Sequence, residues 1–222
     1  MRNRLFVKKK SVLILGIVSL MFMSCSHVEK TYYPSGGIES EVSFWGGKMD
    51  GKAVWYYENG STRMEVEYVK GRLHGPCVRY YRNGKPEVRC SYCRDTLDGE
   101  YLQYDERGWL SERLLYSMGV KNGQYLCYHD GEQKMIEGAF LDGQFDGEWT
   151  YYDEQGFVIG KGNFVKGDGV LEYFDDLNRV RRRVTYAGSV KEGPESFFDV
   201  DGREYRTEFY ENDRFVRSEE NN

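Results

Sequence analysis

The sequence predicts an all-β chain: a single elongated, twisted antiparallel meander of repeated β-hairpins. Three observations carry that expectation. An aromatic residue returns at a constant spacing as Phe44, Tyr68, Tyr92, Tyr116, Phe140, Phe164, Tyr186 and Tyr210; only the step from Phe164 to Tyr186 is shorter, by two positions. A second aromatic column keeps the same beat at Tyr32, Tyr56, Tyr80, Tyr104, Tyr128, Tyr152, Phe174 and Phe198. Glycine follows at Gly51, Gly75, Gly99, Gly123, Gly147, Gly169 and Gly193. Self-similarity at a period of roughly 20–50 residues marks units that cannot bury their apolar surface alone and stack on their neighbours.

Composition agrees. Aromatics make up 16% of the chain, with 19 tyrosines, and leucine and alanine are sparse after residue 25. Tyrosine-rich, glycine-punctuated sequence favours strands. Past residue 30 no sustained apolar period of about 3.6 residues is present.

Residues 1–24 stand outside the repeat. Arg2, Arg4 and Lys8 to Lys10 form a positive start, and the run from Ser11 to Met23 is apolar. A bilayer span takes about 20 residues, so this run is too short to cross and reads as part of a secretory signal peptide. The segment ends at Ser24-Cys25, which resembles a bacterial lipoprotein processing site. There the cysteine takes a diacylglycerol and becomes an acylated, palmitate-bearing N-terminus. Phe22 departs from the usual leucine three positions before the cysteine. Ser26 is not an acidic retention signal, so the expectation is a lipid anchor at Cys25 in the outer membrane, with its face undetermined.

Loss of residues 1–24 removes five positive charges and no negative ones, taking the formal net charge from −5 to −10. An acidic body argues against binding nucleic acid, which needs basic patches. The one basic run, Arg181-Arg182-Arg183, has Glu172, Asp175 and Asp176 nearby and reads as a charge-paired strand face.

Within one unit, Lys52 to Tyr57 reads as a strand and Glu58-Asn59-Gly60 as a hairpin turn, because Asn and Gly tolerate positive φ. Thr62, Met64, Val66 and Tyr68 then alternate with Arg63, Glu65 and Glu67, one face packed and one wet. The stretch from Gly71 to Gly75 is expected to reverse the chain again. The first turn recurs at Gly36, Gly60, Gly84, Gly108, Gly131, Gly156, Asn178 and Gly202; the second is assigned to the column from Gly51 to Gly193. Around Gly167-Asp168-Gly169 the second turn is shorter by two positions, which accounts for the one short step. The expected organisation is a signal peptide (1–24), a lipidated tether (25–30), a repeat domain of seven to eight units in about 15 strands (31–216), and a frayed polar tail (217–222).

Phe44 to Gly51 and Tyr68 to Gly75 resemble MORN repeats: an aromatic, a glycine, then Asp-Gly or His-Gly, then an aromatic strand. The Tyr-Tyr-x-Asn-Gly turns at Tyr56 to Gly60 and Tyr80 to Gly84 resemble the bacterial variant of that repeat. The resemblance covers nearly all of the chain after the signal segment. It implies an all-β, non-catalytic domain used for binding or scaffolding. Some bacterial members carry an antitoxin label, a role that a signal peptide disfavours.

Residues able to do chemistry are few. His27, His74 and His129 share no metal-ligand spacing with cysteines or carboxylates, so no metal or cofactor is expected. Cys90 and Cys93 form a CxxC on a predicted strand, where the two side chains point to opposite faces, unlike a redox pair at a helix start. Cys77 and Cys90 flank Asn83-Gly84 symmetrically. In a two-residue hairpin they would face one another and could form a disulfide; a three-residue turn should break that register. The aromatic columns could stack on sugars, although self-packing accounts for them more simply. The sequence thus points to an envelope-anchored protein-binding scaffold, with a glycan-binding module as the alternative and an antitoxin-like binder behind it. An enzyme is not expected.

Overall fold

The structure is a computed structural model, and it describes residues 25–131 and 133–221. The signal-peptide assignment on residues 1–24 lies outside the described residues. The strands run β1 (His27–Tyr32), β2 (Ile38–Trp45), β3 (Lys48–Tyr56), β4 (Thr62–Val69), β5 (Arg72–Tyr80), β6 (Pro86–Cys93), β7 (Thr96–Leu97), β8 (Gly99–Tyr104), β9 (Leu110–Ser117) and β10 (Val120–Tyr128). They continue as β11 (Lys134–Leu141), β12 (Gln144–Tyr152), β13 (Val158–Val165), β14 (Asp168–Phe174), β15 (Val180–Ala187), β16 (Val190–Phe198), β17 (Glu204–Glu211) and β18 (Arg214–Glu220).

All eighteen belong to one open antiparallel sheet in which sequential strands pair, except that β7 and β8 both pair with β6. The count exceeds the expected 15 partly because the sheet runs into the assigned tether and tail: β1 begins at His27 and β18 ends at Glu220. Terminal strands can form there because Glu29 lies opposite Val42 and Phe209 opposite Arg217, so each end adds one more ladder.

Two kinds of turn alternate. The tight ones hold two residues, both at positive φ, as in Gly46-Gly47 and Lys70-Gly71. That backbone matches the right-handed twist of the flanking strands. The others are wider loops such as 57–61, where Gly60 N donates to Tyr57 O and Tyr57 N to Ser61 O. Gly60 alone carries positive φ in that loop, at 83°.

The second glycine column needs correction. Gly51, Gly75, Gly99, Gly123, Gly147 and Gly193 lie in strands, downstream of the reversals. Each sits at a register shift: Phe44 pairs with Met49 but Val42 with Ala53, so Ser43 alone faces Asp50, Gly51 and Lys52. The bulge forces a φ of 96° on Gly51, a conformation that side chains resist. Gly169 differs again. It lies in β14, where the β13–β14 ladder runs without a shift, so the shortening of this unit has removed the bulge itself. Gly169 has no positive φ; a Cβ there would come within 2.4 Å of Asn163 O and 2.7 Å of the Phe164 ring.

Both turns stitch successive units together. At the tight-turn edge, Gly71 N donates to Met49 O at 2.7 Å, and the pattern repeats as Gly119 N to Leu97 O and Gly143 N to Lys121 O. The residue before the bulge glycine adds a side-chain contact: Asp50 accepts from Lys70 N and Asp98 from Met118 N, and Asp168 keeps the contact, from Gly188 N, although its unit has lost the bulge. At the other edge the N-terminal units use tyrosine. Tyr33, Tyr57 and Tyr81 donate their hydroxyls to the carbonyls of Tyr56, Tyr80 and Tyr104, at 2.6–2.8 Å. His129 stands at the same place, its Nε2 3.0 Å from Tyr152 O. The remaining loops carry Asp105, Asp153, Asp175 and Asp199, whose carboxylates accept from N–H groups of their own turn.

Opposed residues of adjacent strands share a face, so register turns the sheet into rows. One row reads Val42, Ala53, Val66, Cys77, Cys90. Farther along, it reads Leu114, Tyr125, Gly138, and then Trp149, Gly162, Leu171, Val184, Glu195. This is the core. Leu114, Trp149, Leu171 and Val184 are almost fully covered although the described residues form no second layer; over Trp149 and Leu171, aromatic side chains of the neighbouring rows close the core. Those aromatics gather densely only around Trp149, where Tyr125, Phe140, Phe145 and Phe164 have ring centres 4.4–6.4 Å from it.

Candidate functional site

The opposite face carries a different row. Across the ladder it reads Lys30, Glu41, Val54, Glu65, Val78, Arg89, Leu102, Arg113, Leu126, Glu137, Thr150, Lys161, Glu172, Arg183. From Glu41 to Glu137 every second strand places a charge here and the strands between place Val or Leu. Val54 and Leu126 are buried, Val78 and Leu102 are half-buried, and the charged members of this stretch are half-buried or, at Arg89, exposed. The charges form blocks: acidic at Glu41 and Glu65, basic at Arg89 and Arg113, acidic at Glu137.

Local pairs fix several of them. Lys30 bridges to Glu41, Lys52 to Glu65, Arg113 to Glu100 and Arg183 to Glu172. The Lys30 ammonium and the Tyr56 hydroxyl, the latter at 2.9 Å, both hydrogen-bond to the Glu41 carboxylate and hold it below the usual glutamate range. Within this row Arg89 has no such bridge among the described residues and stands exposed between Val78 and Leu102.

The second aromatic column lies on this face too. Tyr32 is exposed, while Tyr56, Tyr80, Tyr104, Tyr128, Tyr152, Phe174 and Phe198 are half-buried. The other exposed aromatics, Trp45, Trp109, Phe157, Tyr205 and Phe215, are scattered over turns and the terminal strands. They do not form a stripe. Around the basic run, Arg183 meets Glu172 and Arg182 meets Glu195, so those charges are paired within the sheet.

The remaining named residues separate. Cys25 is exposed and lies two residues before β1. Because His27 pairs with Phe44, it emerges at the tight-turn edge. His74 is exposed on β5, in the strand and past the turn, beside Val69, Lys70, Arg72 and Arg94. Cys90 and Tyr92 share the core face, and Cys93 points the other way. Among the described residues no three metal-binding side chains gather.

Cys77 and Cys90 are direct cross-strand partners, and both thiols are free. The turn between them is nevertheless the wider loop, with Tyr81 N donating to Lys85 O. The expected loss of register does not follow, because a shift between Arg79 and Tyr80 leaves Glu87 unpaired and restores the pairing. A bulge beside a turn cannot be counted from sequence spacing. The charge row escapes sequence reasoning for a related reason. Its members lie one to a strand, as in Arg89, Leu102 and Arg113, and they become a row only once the register is known.

Comparison with known proteins gives a family match over four segments of the N-terminal half. Residues 28–45, 49–70, 73–94 and 97–117 match the MORN repeat variant family, one segment per hairpin unit. No curated protein matches the chain. One similar solved structure is described as "Crystal structure of GtfA/B complex bound to UDP and GlcNAc", at 20% identity over 49% of this chain and 22% of that one. The chain spans about a fifth of that chain's length, and at a TM-score of 0.23 the likeness carries no argument.

Proposed function

We propose that this MORN-variant repeat protein is a non-catalytic scaffold, anchored to the cell envelope through an acylated Cys25 and binding a protein partner on its charge-patterned face. MORN repeats are in general protein- or membrane-binding modules. The observation that carries the protein reading is the row from Glu41 to Glu137. Blocks of opposite charge along one sheet face suit another folded surface, where charge pattern sets register and excludes wrong partners. A glycan would want a run of exposed rings. The aromatic column is instead half-buried.

The anchor rests on the positive start, the short apolar run and Ser24-Cys25. The exposure of Cys25 beside β1 leaves its thiol accessible. A single acyl chain binds a membrane only marginally, whereas two or three hold it stably. Cys25→Ala should therefore move the protein from the detergent-extracted membrane fraction to the soluble one. A variant that stays with the membrane, from a parent without lipid on Cys25, removes the anchor.

The binding face is tested separately, by cross-linking in intact envelopes. Arg89→Glu with Arg113→Glu turns the basic block acidic. The double variant should keep its melting temperature and lose the partner captured by the parent protein. Equal capture by both removes the charge row as the binding face.

A further inference from the structure

We propose that Cys77 and Cys90 are a reversible dithiol site, closing to a cross-strand disulfide by exchange with an external disulfide, with Cys90 attacking first. The site is independent of the partner on the opposite face. It lies in the core row, where Cys77 is 8% exposed and Cys90 is half-buried beside it. The two residues oppose each other directly. Such pairs place their Cβ atoms about 4.5–5.5 Å apart, and a disulfide needs about 3.5–4.5 Å. Closure therefore takes a small approach of two adjacent strands and no change of register. Cys93 is excluded by its face, and Cys127 pairs with Glu112 and Ile136 in a later unit.

The surroundings make the two sulfurs unequal. The Cys77 thiol faces the Cys90 sulfur across the strands, and that neighbour together with burial pushes Cys77 well above the usual thiol range. Cys90 is lowered, first by the neighbouring Cys77 thiol, with Tyr92 and the Arg79 guanidinium acting in the same direction against its burial. Arg79 is itself held by Glu87, through contacts of 2.7 and 3.1 Å. The thiolate is the nucleophile in thiol–disulfide exchange, so the more exposed and more acidic sulfur goes first.

The reaction balances with one oxidant molecule. Cys90 gives up its proton and attacks one sulfur of a disulfide R–S–S–R. A protein–S–S–R bond forms and one thiolate leaves, taking up a proton. Cys77 then attacks the Cys90 sulfur, and its proton goes with the second departing thiol. The protein loses two hydrogens and the oxidant becomes two R–SH. Oxidised glutathione or the disulfide of a thiol oxidoreductase belongs to the right class.

The test uses the purified protein carrying Cys25→Ala, so that four thiols remain, with oxidised glutathione as the reagent. Before oxidation, limited N-ethylmaleimide should label Cys90 at least tenfold faster than Cys77. After oxidation, peptide mapping should show Cys77 joined to Cys90, with Cys93 and Cys127 still alkylatable, and dithiothreitol should restore both thiols. Cys77→Ser should stop at one glutathione on Cys90. The labelling and mapping need no substitution at the pair, so a poorly folding variant does not blunt them. Free Cys77 and Cys90 after oxidation, a bond to Cys93 or Cys127, or faster labelling of Cys77 would each overturn the proposal.

Discussion

Trp149 fills the space that Gly138 leaves empty. A Cβ on Gly138 would lie 2.3–2.7 Å from Cδ2, Cε2 and Cε3 of the indole. The β11–β12 ladder shifts between Glu137 and Ala139, which leaves Gly138 opposite the stretch from Gly147 to Trp149. On its other side Trp149 pairs with Gly162. Here a sheet that carries no second layer among the described residues buries an indole by laying it over glycine. The indole Nε1 still donates to Ala139 O, at 3.1 Å.

Gly138→Ala should therefore destabilise by about 1–3 kcal/mol, the usual cost of forcing atoms into a filled site. The cause is steric, since Gly138 does not have positive φ. Trp149→Leu should make the alanine nearly neutral when introduced into that background. A denaturant melt in which Gly138→Ala costs the same with and without the indole would disprove the packing relation.

The sequence made the units legible because tight turns, bulges and the two aromatic columns each repeat a residue type. It did not make Gly138 or Gly162 legible, because neither belongs to a column: the equivalent places hold Val66, Cys90, Leu114 and Val184. Gly138 takes its meaning from Trp149 across the ladder, and Gly162 from the Phe164 ring and the Val170 carbonyl, each 2.8 Å from where a Cβ would stand. The column at Gly51 is visible in the sequence but its job is not, since a strand bulge and a turn both ask for positive φ. The charged row is hidden for a different reason. Lys30, Glu41, Glu65, Arg89 and Arg113 look like ordinary wet-face residues until pairing aligns them.

Alkaline titration should show tyrosines in two classes. Burial raises Tyr92 and Tyr186 to about 12, and it raises Tyr125 and Tyr151 further still. Tyrosine in an unfolded chain titrates near 10. The neutral form is the one the fold prefers, so this contribution is whole below about pH 10 and is lost as pH rises toward 12. Phenolate absorbance should rise in an early phase from the exposed rings, then in a late phase coincident with loss of the β signal in circular dichroism. A single early phase covering every tyrosine, with the fold intact, would contradict the burial.

Glu195 occupies the core row where earlier units place Trp149 and Leu171, and it is 2% exposed. Arg182 and Lys191 both bind its carboxylate, and they lie over the rings of Tyr173 and Tyr210 respectively. The C-terminal units thus use a charge cluster in place of apolar packing. Removing one partner leaves the others desolvated, which costs about 3–5 kcal/mol for a fully buried pair. Arg182 is 40% exposed, so Glu195→Ala should fall at the low end, about 3 kcal/mol. Glu195→Leu should recover part of that if Arg182 can turn to solvent. Thermal melts within about 0.5 kcal/mol of the parent for Glu195→Ala would show the cluster to be idle.

Deleting one whole unit, residues 99–122, should leave a folded and shorter sheet. The cut joins Asp98 to Gly123, restoring an Asp-Gly bulge, and it removes β8 and β9 with the start of β10. The residues that then meet β6 are near copies of those lost. Tyr125 takes the place of Tyr101, Leu126 of Leu102 and Tyr128 of Tyr104, each from one repeat further along the chain. The stitching survives as well: the Tyr81 hydroxyl, which now donates to Tyr104 O, gains Tyr128 O, and Asp98, which now accepts from Met118 N, faces the next tight turn at Asp142-Gly143. Unit stability is roughly a sum of neighbour terms, so the melt should drop modestly and remain cooperative. On the binding face the deletion removes Arg113 and brings Arg89 into the row beside Leu126 and Glu137. A partner that reads the row over several units should bind about tenfold to a hundredfold more weakly, a loss of about 1.4–2.8 kcal/mol. An unfolded deletion variant would mean that the units are less interchangeable than their hydrogen bonds indicate. A folded variant with unchanged affinity would place the partner on other units.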